Sequence, residues 1–115
     1  MVALSVDVLF DAAVRIQLQE HSISITFTRD EIRIKFPTTR RLAEFLDVPH
    51  YYVLPYFAMM EQEELVTRAE RVGILTTAKG SRKMIGLANE KYLQEIVAIL
   101  GQVIFTELRK RCETA

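Results

Sequence analysis

The spacing of apolar residues over positions 38–66, TTRRLAEFLDVPHYYVLPYFAMMEQEELV, constrains the fold of this chain more than any other feature. Leu42, Ala43 and Leu46 share one face of a first short helix, and Val53, Phe57 and Met60 recur at helical spacing on a second. Val48 falls between them, where one apolar side chain can plug the corner of a tight turn. Ala43 is small where the two helices must approach closely, and Leu65 and Val66 carry the second helix into a strand.

The flanking segments have their own periods. Val6, Leu9, Phe10, Ala13, Val14 and Ile16 give a broad apolar face to a helix over 4–19, with Asp7, Asp11 and Arg15 at i, i+4 spacing on the other side. The period then changes to two. Ile23, Ile25 and Phe27 alternate with Ser22, Ser24, Thr26 and Thr28; after a polar turn at 29–31, Ile32, Ile34 and Phe36 alternate with Arg33 and Lys35. This predicts a β-hairpin. Pro37 ends it, and Thr38 or Thr39 can cap the next helix, over about 39–47. The second helix of the pair runs to about 64, and 65–68 and 72–76 read as short strands joined by a turn at 69–71. Thr76 or Thr77 caps a helix over 78–88, where Gly80 and Gly86 each cost about 1 kcal/mol relative to Ala and Gly86 or Asn89 is the expected break. A last helix is expected over about 90–111. No repeat, low-complexity run or linker divides residues 1–115, which read as one domain, α+β and mostly helical.

Composition narrows the function classes. The chain is 50% hydrophobic and 26% charged, which fits a folded domain. Its 15 Lys and Arg balance 15 Asp and Glu, so no global charge draws it to nucleic acid. The charge is unevenly placed, however. Residues 65–88 hold Arg68, Arg71, Lys79, Arg82 and Lys83 against Glu70 alone, whereas 37–64 hold Arg40 and Arg41 against Glu44, Asp47, Glu61, Glu63 and Glu64. Cys112 is the only cysteine and falls at an end expected to fray, so an intrachain disulfide or cysteine metal cluster is excluded. His21 and His50 have no companion at metal-ligand or triad spacing, and no glycine-rich phosphate loop is present. Neither an enzyme nor a cofactor or metal is therefore expected. The N-terminus lacks a basic n-region and carries Asp7 and Asp11, unlike a secretory signal. Uncharged apolar stretches reach only about ten residues, too short for a membrane span, and the reading is a cytoplasmic protein.

The predicted order of helix, strand, helix, helix, strand, strand, helix, together with LVTRAERVGILTTAKG, resembles winged helix-turn-helix transcription regulators of the MarR and PadR families. In those families a hairpin ends in a leucine-threonine-x-x-glycine-like run; here it is Leu75-Thr76-Thr77-Ala78-Lys79-Gly80, with one extra residue. The resemblance covers about residues 32–88. It implies a homodimer that binds double-stranded DNA, with the terminal helices, about 4–19 and 90–111, forming the dimer interface. Thr38, Thr39, Arg40 and Arg41 would then meet phosphate at a helix start, His50, Tyr51 and Tyr52 would face the groove from the second helix and bond phosphate or base edges, and Arg68 would join the DNA contacts. Arg71 would stand near the wing tip, and Lys79, Arg82 and Lys83 would contact flanking phosphates.

The last helix has apolar residues for more than one partner. Leu93, Val97, Leu100, Ile104 and Leu108 form one stripe and Tyr92, Ile96, Ile99 and Val103 another. Tyr92, Ile96, Ile99, Leu100, Val103 and Ile104 are the expected dimer contacts, with Gly101 admitting a close neighbouring helix.

The segment expected to read bases departs from the family pattern. Positions 49–58 contain no Lys, Arg, Asn or Gln, the side chains that usually make bidentate bonds to guanine or adenine. Pro55 removes a backbone donor there, so the helix either starts late or is kinked. Tyr51, Tyr52, Leu54 and Tyr56 would suit another protein as partner, which makes a protein-interaction module the alternative function.

Overall fold

The computed structural model describes residues 3–114. Ser5 caps the first helix, α1 (Val6–Glu20), by accepting a bond from the Val8 N–H at 3.1 Å. Leu9, Phe10, Ala13 and Ile16 turn inward from it. Strands β1 (Ile25–Phe27) and β2 (Ile32–Phe36) form the expected hairpin, with Ile25 opposite Ile34 and Phe27 opposite Ile32. Strict alternation buries Ile32, Ile34 and Phe36.

The helix pair follows. α2 (Thr39–Leu46) is capped by Thr38, and α3 (His50–Gln62) starts after only Asp47, Val48 and Pro49. Asp47 takes the left-handed conformation (φ 56°), so that its N–H and that of Val48 bond back to Glu44 and Ala43 and end α2. Leu42, Ala43, Val53, Phe57 and Met60 are buried and Val48 is half-buried at the corner. Pro55 lies inside α3, since the helix does not start late. The ring faces solvent, where water can reach the carbonyl that loses its bond.

Strands β3 (Val66–Ala69) and β4 (Gly73–Thr76) form a second hairpin, giving a four-stranded antiparallel sheet in the order β1-β2-β4-β3. Buried hydroxyls lock the next helix, α4 (Ala78–Lys91), to this sheet. The Ser81 hydroxyl donates to the Ile32 carbonyl, so Thr76 donates to Ser81 at 2.7 Å while accepting from the Ile34 N–H at 2.8 Å. Both hydroxyls of this network therefore have a donor and an acceptor partner. Thr77 supplies the α4 cap, bonding the Gly80 N–H at 3.1 Å.

The C-terminal region departs from expectation. α4 runs through Gly86 and Asn89 to Lys91, so neither residue breaks it. The single helix expected over 90–111 is two, α5 (Leu93–Leu100) and α6 (Gln102–Thr114). Gly101 separates them at φ 86° and ψ 152°, a conformation essentially closed to residues with a Cβ. It forms the corner between them, and no described atom lies within 4 Å of a Cβ placed there. The corner folds α6 back onto α4, burying Phe105, Leu108 and Cys112. Cys112 is thus a core residue, and burial pushes its thiol pKa up. No described helix is long and apolar enough to cross a membrane.

Candidate nucleic-acid interface

The N-termini of α2 and α3 converge. Thr38 is committed to its cap, accepting from the Arg41 N–H at 3.1 Å, but the Thr39 hydroxyl lies 2.7 Å from Nε2 of His50 in the first turn of α3. No side chain caps α3; the Tyr52 N–H bonds the Pro49 carbonyl at 3.0 Å, and the His50 and Tyr51 N–H groups ahead of it have no partner among the described residues. Arg40, next to Thr39, is exposed and has no hydrogen bond or ion pair among the described residues. Arg41 instead reaches Glu20 at 3.5 Å.

The outward surface of α3 follows from helix geometry. Val53, Phe57 and Met60 point into the core, which leaves Tyr51, Pro55, Ala58 and Gln62 in line on the opposite side, at spacings of three and four. Leu54, Tyr52 and Met59 flank that line and are also exposed. Tyr51 is 64% exposed and packs edge-on against Tyr52 with ring centroids 4.7 Å apart. Tyr56 is half-buried. Sequence reasoning stopped the reading segment at 58 and so missed Met59 and Gln62, which belong to the same face because the helix continues through Pro55.

The basic run over 65–88 is one stretch in sequence and two regions in space. Arg68, Arg71 and Lys79 lie around the β3–β4 hairpin and the end of α3. Arg68 is already engaged, 4.9 Å over the Phe57 ring and 3.6 Å from Glu61. The Lys79 ammonium donates to the Glu63 carbonyl at 3.1 Å. Arg71 stands exposed in the β3–β4 turn in the left-handed conformation (φ 66°) and has no hydrogen bond or ion pair among the described residues. Arg82 and Lys83 lie elsewhere, on the side of α4 that meets α1 and α6. Lys83 bonds Asp7 at 2.6 Å and lies 5.6 Å from the Phe10 ring centroid; its bond and charge hold the Asp7 carboxyl below its ordinary pKa. Arg82 lines a shallow groove with Arg109 and Cys112.

The residues expected at a dimer interface also divide. Ile96 is 2% exposed and belongs to the chain's own core. Leu100 is half-buried against that core, and the half-buried Tyr92 donates its hydroxyl to Asp11 at 2.6 Å. The sequence stripes assumed one straight helix with one stripe on the core and the other toward a partner; with the break at Gly101, each stripe is divided between buried and exposed positions. Val103 and Ile104 remain exposed, Leu93 joins them, and Ile99 is half-buried.

No protein-family model matches the chain, and a search of curated proteins finds no significant relative.

Proposed function

We propose that this chain is a winged-helix regulator that binds double-stranded DNA as a homodimer, presenting α3 to the duplex and the β3–β4 turn as its wing. The observation that carries this reading is the topology: a helix pair across a tight turn, inserted between β2 and the β3–β4 hairpin, with β2 pairing back onto β4. Two further features support it. Arg40 and Arg71 are cations with no hydrogen bond or ion pair among the described residues, one beside the converging helix N-termini and the other at the hairpin tip. Phosphate is the ligand that such N–H groups and guanidinium heads suit. The dimer face is narrower than the sequence suggested, resting on Leu93, Ile99, Val103 and Ile104.

A titration of the chain on duplex fragments at two salt concentrations tests the reading. Each lost phosphate contact lowers the slope of log affinity against log salt by about one. Replacing Arg40 and Arg71 by Ala should weaken binding to all sequences alike and reduce the slope by about two. An unchanged affinity would remove both from the interface.

The apolar outward face of α3 favours a second reading, a winged-helix module that binds another protein through Tyr51, Tyr52 and Leu54. In that case the chain should bind no duplex at any salt.

A further inference from the structure

We infer that α3 reads thymine, through apolar contact with its C5-methyl group in the major groove. The inference rests on the DNA-binding reading above and specifies what the duplex must contain.

Glu61 and Gln62 occupy the last turn of α3; ahead of them its exposed face carries Tyr51, Tyr52, Leu54, Pro55, Ala58 and Met59. None of these can form the bidentate pairs that single out guanine or adenine. Pro55 contributes an apolar ring and no N–H. The one apolar group that a base pair displays on the floor of the major groove is the thymine methyl. An apolar helix face laid in that groove therefore gains from each methyl it covers, and over guanine or cytosine it buries polar edges without replacing their bonds to water.

Charge placement favours DNA over an apolar protein as the occupant. The apolar face begins at the uncapped N-terminus of α3, beside Arg40 and within the turn joined to α2 by the Thr39–His50 bond. The acids Glu61, Glu63 and Glu64 are gathered at the opposite end. The Arg40 cation and the first N–H groups of α3, beside an apolar strip, match a methyl-lined groove walled by phosphate.

The test uses the full chain and four synthetic duplex polymers: poly(dA-dT), poly(dA-dU), poly(dG-dC) and poly(dG-5-methyl-dC), titrated at one low salt concentration. Uracil is thymine without the methyl, and 5-methylcytosine puts a methyl at the corresponding major-groove position of a G·C pair. Each methyl contacted should be worth about fourfold in affinity, so the dT polymer should bind more tightly than the dU polymer, and the methylated dG-dC polymer more tightly than its parent. The double variant L54A/M59A, altered only at exposed positions, should bring both ratios toward one. Equal affinity within each pair would overturn the inference and leave DNA binding standing. Ratios that persist in the variant would also overturn it, since α3 would not be the reader. No binding to any of the four would remove the DNA reading and this inference together.

Discussion

Two glycines show how closely single residues govern this fold. A Cβ on Gly80 would lie 1.9 Å from the Leu65 carbonyl oxygen, so the first turn of α4 can reach the start of β3 only without a side chain there. Gly80→Ala should destabilise the domain by about 3 kcal/mol or prevent folding, as overpacking against rigid backbone does. Gly101→Ala meets no neighbour but must hold φ 86°, and should cost about 1–3 kcal/mol through strain alone. Denaturant unfolding of both variants checks the order. Tyr92 offers a pH test. Burial, then the bond to Asp11, raises its pKa from 10.0 to about 12. The folded state therefore favours the protonated phenol. That contribution to stability is complete below pH 10 and is lost as pH rises through about 12. Tyr92→Phe should lower stability by about 1 kcal/mol at neutral pH, the cost of one hydrogen bond, and flatten the decline over that alkaline window. Equal alkaline profiles would separate Tyr92 from the effect.

At the scale of elements, α3 is split between two tasks along its length and around its circumference. Its inner face holds the domain together, and its outer face contributes little to stability. Replacing Tyr51 and Tyr52 together by Ala should thus leave unfolding free energy within about 0.5 kcal/mol, as at other exposed sites, while weakening DNA binding. Intact DNA binding, with loss of a cellular protein in a pull-down, would favour the interaction module instead. The elements themselves were largely readable. Alternation in Ile32, Ile34 and Phe36 and the three-and-four spacing of Val53, Phe57 and Met60 mark one buried face each, and the structure buries those faces. Pro55 was harder to read, because whether a proline interrupts a helix depends on whether the freed carbonyl faces solvent or core.

For the whole molecule, the open question of assembly turns on α5 and α6. Val103 is 78% exposed, and Ile104 and Leu93 are exposed with it on consecutive helices. An apolar surface of this kind on an isolated chain favours self-association. Light scattering at micromolar concentration should report a dimer, and V103E/I104E should convert it to a monomer with unchanged helical circular dichroism. A monomeric parent chain would overturn the homodimer. The variant separates dimerisation from folding, because neither side chain belongs to the buried core.

The amino-acid sequence by itself determined which segments are helix or strand up to the C-terminal helices, where the helix pair turns, and which side chains are apolar enough to form the core. These are local properties: period, caps and backbone restrictions act within a few residues. Only the tertiary structure decided how the cations and the last apolar stripes are used. Arg68, Lys79 and Lys83 look equivalent to Arg71 in sequence, yet they are held by Glu61, the Glu63 carbonyl and Asp7. Arg40 and Arg71 are left without a partner among the described residues. Phe105, Leu108 and Cys112 entered the core because one glycine at positive φ turned α6 back onto α4. Pairing and burial depend on which distant segments meet, and that is settled by the packing of the whole chain.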